Sequence, residues 1–367
     1  MKILIGADIV PTKSNIQAFS DGNIEMVIDE KLKSVLSQAE FRIFNLETPL
    51  ADSEFPIKKC GPNLIAPTSC VNGIKKLGAD LLTLANNHIM DHGTKGLKST
   101  MDILSQNGIS YVGAGDNLCQ AQKSYIIEKD DLKVGIYACA EHEFSIAKED
   151  YPGANPFEPL ESLDHIQSLK NQCDYVVVLY HGGKEYYRYP SPNLQKTCRR
   201  MCEKGADLVV CQHSHCVGCE EKYNNSTIVY GQGNFIFDAD DNEFWNSSLL
   251  IDVKFADELR IKYILLEKNN GIIKVSENEN ILNNFIERSA LIEEPGFIAR
   301  KYSEFAESML QGYVRAFCGV SIFFRILNKL CGNKLKKKIG EDKRLAIRNF
   351  IECEAHRELF LEGIKNE

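Results

Sequence analysis

The chain has 367 residues, 44% of them hydrophobic and 26% charged, with a formal net charge of −8. That composition suits one large globular domain with an appendage, or two domains, and its acidic balance argues against a nucleic-acid binder. The acid is unevenly spread, because residues 296–367 carry 14 Lys and Arg against 9 Asp and Glu. In chain order, the first apolar run is Lys2–Ala7, ending at Asp8. It is too short for the apolar core of a signal peptide. A helix is expected over Glu30–Gln38, a strand over Phe41–Leu46 ending at Glu47, and a helix over Thr68–Leu77. The next strand, Leu81–Ala85, runs into Asn86, Asn87 and His88. Thr94–Gln106 places Leu97, Met101 and Leu104 at near-helical spacing. Helices over Leu160–Lys170 and Asn193–Glu203 then alternate with two more strands. These are Tyr175–Tyr180, ending at His181, and Leu208–Cys211, ending at Gln212, His213, Ser214 and His215. Gly78, Gly108 and Gly205 stand where a helix C-terminus favours a left-handed residue.

This alternation predicts an α/β fold with a sheet of mainly parallel strands. One local pattern occurs twice. Gly78-Ala79-Asp80 and Gly205-Ala206-Asp207 each precede an apolar run, with His88 and His215 eight residues after the aspartates. Past Cys216 the chain changes to short strands joined by tight turns: Cys216–Lys222, Thr227–Tyr230, Ser248–Phe255, Arg260–Glu267 and Ile272–Val275. They read as a meander that finishes or backs a second sheet. From about Asn280 the chain reads as helical. A boundary at Glu294-Pro295-Gly296 divides a domain over 1–295 from a helical, basic extension over 296–367. Thirteen scattered cysteines cannot all pair and point to a reducing cytoplasm. The longest apolar stretch, Ala316–Phe324, has nine residues, so no membrane span is expected.

Open α/β sheets place their ligands at the carboxyl ends of strands. Five such ends carry Asp8, Glu47, Asn87 with His88, His181, and His213 with His215. Oxygen and imidazole donors without thiolates suit Mn, Fe, Zn or Mg and fit hydrolysis better than a structural zinc. A single histidine after a strand is more often packed than ligating. Four histidines at three strand ends, with carboxylates at two others, carry the metal reading.

The local sequences resemble a known family. Asn45-Leu46-Glu47, Ala85-Asn86-Asn87-His88 with Asp91, Gly93 and Gly96, and His181-Gly182-Gly183-Lys184-Glu185-Tyr186 are similar to motifs of the CapA family. So are His213-Ser214-His215 and the run from Tyr230 to Asp238 (YGQGNFIFD). That family is associated with poly-γ-glutamate capsule production and belongs to the calcineurin-like metallophosphoesterase superfamily. The resemblance covers Asp8 to about Asp238 and implies a four-layer α/β/β/α sandwich of the metallophosphoesterase type. It also implies one or two divalent metal ions at the strand ends. By position, Glu47 takes the place of the bridging carboxylate. Asp8 and His215 complete one metal site, and Asn87, His181 and His213 the other. His88 is left to act as general acid. Asn86, Asp91, Glu185 and Asn234 stand around them as substrate or supporting contacts. Two positions depart from the pattern. Val10 replaces the histidine of Asp-x-His, which leaves one metal short of an imidazole, and Cys211-Gln212 stands where Gly-His is common.

The resemblance implies a metal-dependent hydrolase in poly-γ-glutamate or capsule metabolism, acting on a phosphoester or polyglutamate-type substrate. Alternatives are a non-catalytic assembly factor with polymer-synthesis partners, and a generic phosphodiesterase or phosphomonoesterase. Two rival signals remain in the residues. Cys211, Cys216 and Cys219 flank the histidine pair and could form a zinc cluster or redox pair. Arg315–Arg344 carries nine basic and two acidic residues beside apolar Val320–Leu327. That is either a packed helix with a solvated basic face or a peripheral contact to an anionic membrane.

Overall fold

β1 (Lys2–Val10), β2 (Phe41–Leu46), β3 (Leu81–Thr83) and β4 (Ser110–Val112) run parallel with helices between them. The structure is a computed structural model that describes residues 1–237, 242–269, 271–318 and 322–332, together with 347 and 351. The chain continues through β5 (Ala114–Gly115), β6 (Tyr125–Lys129), β7 (Leu132–Ala140), β8 (Gly153–Ala154), β9 (Tyr175–His181) and β10 (Leu208–Gln212). It then forms β11 (Val217–Tyr223), β12 (Ser226–Gln232), β13 (Asn234–Phe237), β14 (Ser247–Lys254), β15 (Arg260–Asn269) and β16 (Ile272–Val275).

Two large sheets result. The first is ordered β16-β15-β14-β1-β2-β3-β4, with β13 also paired to β1, and the second β11-β12-β10-β9-β7-β6. The expected meander is therefore divided. β11 and β12 finish the second sheet, whereas β14–β16 extend the first sheet antiparallel from β1. β7 lies between β9 and the edge strand β6 in the second sheet and has no counterpart among the expected strands. Its apolar pattern is interrupted by Lys133 and by Gly135, whose hydrogen face takes the Leu169 side chain; a Cβ there would lie 2.7 Å from Leu169 Cγ.

Both faces of the central strands are buried, which explains their continuous apolar runs. In β9, Val177 and Leu179 face the core between the sheets, where they join Ile3, Ile5, Ile43, Val210 and Val229. Val176 and Val178 face the opposite way, onto Ile166, Leu169 and Met201 of the helices Ser162–Lys170 and Pro192–Glu203. On the far side, Leu4, Phe44 and Leu82 pack against Phe19, Leu32, Ile74 and Leu97 from four further helices. Helix, sheet, sheet and helix make four layers, the architecture expected from the resemblance.

The repeated Gly-Ala-Asp segment has a structural cause. Asp80 accepts the Arg42 backbone N–H at 2.8 Å, and Asp207 accepts that of Val176 at 2.7 Å. Each aspartate pins the start of the strand beside its own. Gly78, Gly108 and Gly205 all have positive φ, as expected for helix ends.

One compact unit runs from Met1 to Tyr302 and a second from Ser303 to Glu367. Residues 296–302 fall in the first unit, where Phe297 and Ile298 are buried with Ile292. Helices follow at Glu279–Leu291, Phe297–Cys318 and Ile322–Leu330. Asp238 and the basic run Lys334–Lys338 lie outside the described residues. Among the described residues, no helix is long and apolar enough to cross a membrane.

Candidate metal centre

The carboxyl ends of β1, β2 and β3 from one sheet meet those of β9 and β10 from the other. Asp8, Glu47, His181, His213 and His215 are all buried there, and Asn87 and His88 are nearly so. Glu47 is central: its Oε1 lies 3.1 Å from His181 Nε2 and 4.0 Å from His215 Nε2. His215 Nδ1 lies 3.5 Å from Asp8 Oδ2 and 2.8 Å from Asn234 Oδ1. On the other side, His181 Nε2 is 3.1 Å from both Asn87 Oδ1 and His213 Nδ1. The structure thus gathers Asp8 with His215, and Asn87 with His181 and His213, about Glu47. Donor atoms of Glu47, His213 and His215 all lie within 4.8 Å of one another.

The loop that carries His213 and His215 is held in an unusual backbone. Both residues have positive φ, 84° and 53°, which costs a non-glycine residue on the order of 1–3 kcal/mol. Tyr186 N–H donates to Ser214 O at 2.9 Å and Gly233 N–H to Cys216 O at 3.1 Å, fixing the loop from two sides. Gly231 is required beside it, because a Cβ there would lie 2.6 Å from Cys216 O and Ser214 Oγ. Phe237 and Trp245 wall in His215, with ring centroids 5.6 and 5.5 Å away.

The electrostatics are those of a cation site. Burial, with Glu47 alongside, pushes Asp8 up. Burial would also raise Glu47, but His215 and His181 outweigh it and hold the carboxyl well below its usual range. Burial and the neighbouring imidazoles His181 and His215 push His213 far down, leaving it neutral. Burial works against charge on His215 as well, yet Glu47 and Asp8 hold it up at about 9. Asp8 Oδ2 and both oxygens of Glu47 are buried without a hydrogen-bond partner. A buried carboxylate in that state is costly, by several kcal/mol, unless a cation faces it. Carboxylate, amide and imidazole donors converging on such oxygens fit a divalent metal.

His88 sits beside this cluster. Its Nδ1 lies 2.6 Å from Asp91 Oδ2, so Asp91 orients the ring. Asn86 has a supporting place: its amide donates to Asn45 Oδ1 at 3.1 Å and Leu46 O at 2.8 Å, and its Oδ1 accepts the His88 N–H. Glu185 lies outside the cluster, its side chain 37% exposed and paired with Lys184. Asn234 orients His215.

Three residues of the site were not foreseen. Asn45, fully buried, donates to Asp8 Oδ1 at 2.8 Å and accepts from Thr83 Oγ1 at 3.0 Å, which ties β1, β2 and β3 together. Its place in the Asn-Leu-Glu motif was the available signal. Glu143 accepts from Asn87 Nδ2 at 3.1 Å. Lys59 pairs with Asp91. The latter two come from loops without periodicity or motif.

Cys211, Cys216 and Cys219 stand apart from the cluster. Cys211 and Cys219 face the outer core of the second sheet, where Cys211 Sγ lies 3.6 Å from Cys198 Sγ. Cys211, Cys216 and Cys219 are all free thiols. Among the described residues, the group placed to hold a metal contains no cysteine. Burial pushes the Cys216 and Cys219 thiols up, which argues against reactive or ligating thiolates in that segment.

The chain belongs to the bacterial capsule synthesis protein family PGA_cap, whose family model matches residues 2–239. It is 31% identical over 249 residues to the capsule biosynthesis protein CapA of Bacillus anthracis, covering 65% of this chain and 58% of that one. It is 34% identical over 210 residues to the PGA biosynthesis protein CapA of Bacillus subtilis, covering 56% and 52%. The chain thus spans little more than half the length of these relatives. A 5′-nucleotidase precursor from Thermus thermophilus is similar with a TM-score of 0.43 and 14% identity, covering 80% of this chain and 60% of that one.

Proposed function

We propose that this chain is a metal-dependent hydrolase of poly-γ-glutamate or capsule metabolism. Its substrate is a phosphoester or the amide-linked backbone of a glutamate polymer. The observation that carries the reading is Glu47, buried with neither oxygen hydrogen-bonded and with two imidazoles converging on Oε1. Asp8, Glu47, Asn87, His181, His213 and His215 would hold one or two ions of Mn, Fe, Zn or Mg. When bound, such an ion supplies Lewis-acid activation of water and of the substrate oxygen. The chain's own part is positional. Asn45 fixes Asp8, Asn234 fixes His215, and Asp91 fixes His88 so that its Nε2 exchanges a proton with the leaving group.

A second reading, an assembly factor that keeps the fold without turnover, is supported by Val10. This buried apolar residue stands where an imidazole is usual. Metal-replete protein is expected to hydrolyse bis(4-nitrophenyl) phosphate or poly-γ-glutamate, to stop when a chelator removes the ion, and to recover on its return. Bound metal without turnover of either would favour the assembly factor. Failure to take up Mn or Zn would end the metal reading itself.

The basic C-terminal region supports a peripheral membrane contact as well. Phe323, Ile326, Leu327 and Leu330 of the last described helix are exposed, alongside Lys329. Cosedimentation with anionic vesicles is expected at low salt and should fade at high salt. Equal binding to neutral vesicles would remove the electrostatic part of this idea.

A further inference from the structure

Lys59 is an unusual residue in an unremarkable loop. It lies between Leu50 and Pro67, where Lys58 and Cys60 are exposed, yet its own side chain is only 2% exposed. Lysine is almost never buried unless paired. Here the ammonium donates to Asp91 Oδ1 and lies 3.1 Å from His88 Nδ1. Asp91, fully buried, is also held from the loop by the Leu64 N–H at 2.6 Å on Oδ2, the oxygen that faces His88 Nδ1. The Phe55 N–H donates to His92 Nδ1 at 2.7 Å and the Ile57 N–H to Asp91 O at 3.0 Å, so the loop is pinned along the whole segment after β3.

The two Asp91 oxygens therefore have separate duties. Oδ2 receives the imidazole and a backbone N–H, and Oδ1 receives Lys59. With both oxygens engaged, the carboxylate cannot swing away, and the Nδ1 edge of His88 is fully occupied. Among the described residues, Nε2 makes no hydrogen bond, so it is the nitrogen left to take up a proton from solvent and, as the charged ring, give it to a leaving group. Without Lys59, Asp91 would be a buried anion with one oxygen unpaired, free to turn and release the ring.

We infer that Lys59 is a positioning residue for proton transfer by His88, delivered to the site by the loop between Leu50 and Pro67. It is too deeply buried to touch substrate and acts through Asp91. The inference rests on the hydrolase reading for its kinetic consequence, but its structural consequence does not. Misplacing a general acid forfeits part of a contribution of about 10²–10⁴, and the loss is larger for poor leaving groups, which depend on the proton.

The test uses the full chain carrying Lys59→Met, with Lys59→Gln as a neutral, hydrogen-bonding substitute should methionine not fold, and Lys59→Arg as the rescue. In metal-free protein with ¹⁵N-labelled histidine, His88 should hold a single Nδ1–H tautomer in the wild type and an averaged one in Lys59→Met. His88→Gln assigns the signal. In metal-replete protein, the ratio of kcat for an alkyl phosphodiester to that for a nitrophenyl one should fall about tenfold in Lys59→Met, with metal affinity unchanged and Lys59→Arg recovering most of the ratio. An unchanged tautomer signal would overturn the inference, and so would metal affinity falling in step with turnover, which would make Lys59 a residue of the fold alone. If the wild type turns over neither ester, the hydrolase reading fails while the tautomer measurement still decides the role of Lys59.

Discussion

Glu47→Gln is expected to abolish high-affinity metal binding while leaving the metal-free fold intact. Glutamine fills the same volume in a position with no exposure, so packing is preserved. What is lost is the charge on which His181 and His215 converge, and one of the two carboxylate oxygens that carry no hydrogen bond. Loss of outer supporting groups already costs about 10–100-fold in metal affinity, so a central carboxylate should cost at least the upper figure. A divalent ion at a hundredfold its Kd adds about 2.7 kcal/mol to the native state, which corresponds to a rise of roughly 4 °C in Tm for a unit of about 300 residues. The wild type should show that rise with Mn or Zn, and Glu47→Gln less than about a fifth of it. Without metal the variant should melt lower than the wild type, because the imidazoles that converge on Glu47 lose their counter-charge, so the metal-induced rise is compared within each protein. A variant that keeps the full metal-induced shift would show that Glu47 does not bind the ion.

Gly218→Ala should be the most damaging single-methyl change in the first unit. Gly218 lies in β11 against β12, and a Cβ there would sit 1.6 Å from Tyr230 O, 2.7 Å from Tyr230 C and 3.0 Å from Arg188 O. All three are backbone atoms, so no side chain can rotate aside. Ordinary overpacking costs about 1–3 kcal/mol, and relief here requires β11 and β12 to separate. We therefore expect a loss of about 3 kcal/mol or more, read as a lower urea midpoint with an unchanged slope. The damage should reach the metal centre, because β12 leads through Gly233 directly to Asn234, which orients His215. A cost under about 1 kcal/mol would mean that the two strands are far more yielding than their pairing indicates.

Much of the molecule can be read from its residues, and what cannot has physical reasons. β2 and β16 have the predicted bounds because apolar runs and turn residues coincide there. The strand-end donors Asp8, Glu47, Asn87, His181, His213 and His215 do converge, since parallel strands bring their carboxyl ends to one edge. β7 escaped because Gly135 looks like a break, when it is the space into which Leu169 packs. The split of the final strands between two sheets escaped because pairing partners are remote: β14 adds to β1, at the other end of the chain. Lys59 escaped most completely. Nothing in its loop is periodic, and its burial depends on Asp91, 32 residues later.

The six candidate ligands divide evenly between the layers. Asp8, Glu47 and Asn87 hang from the first sheet, and His181, His213 and His215 from the second. Elsewhere the sheets adhere mainly through apolar contact, which resists separation but tolerates sliding. Gln212 and Gln232 add polar ties, donating across to Gly6 O at 3.3 Å and to Ile5 O at 3.1 Å. An ion bound at the six donors would act as a rivet through both layers, fixing their relative slip at that edge. The rivet and the reaction would then share one part, so a chain that lost its metal would lose alignment of its two halves together with its chemistry.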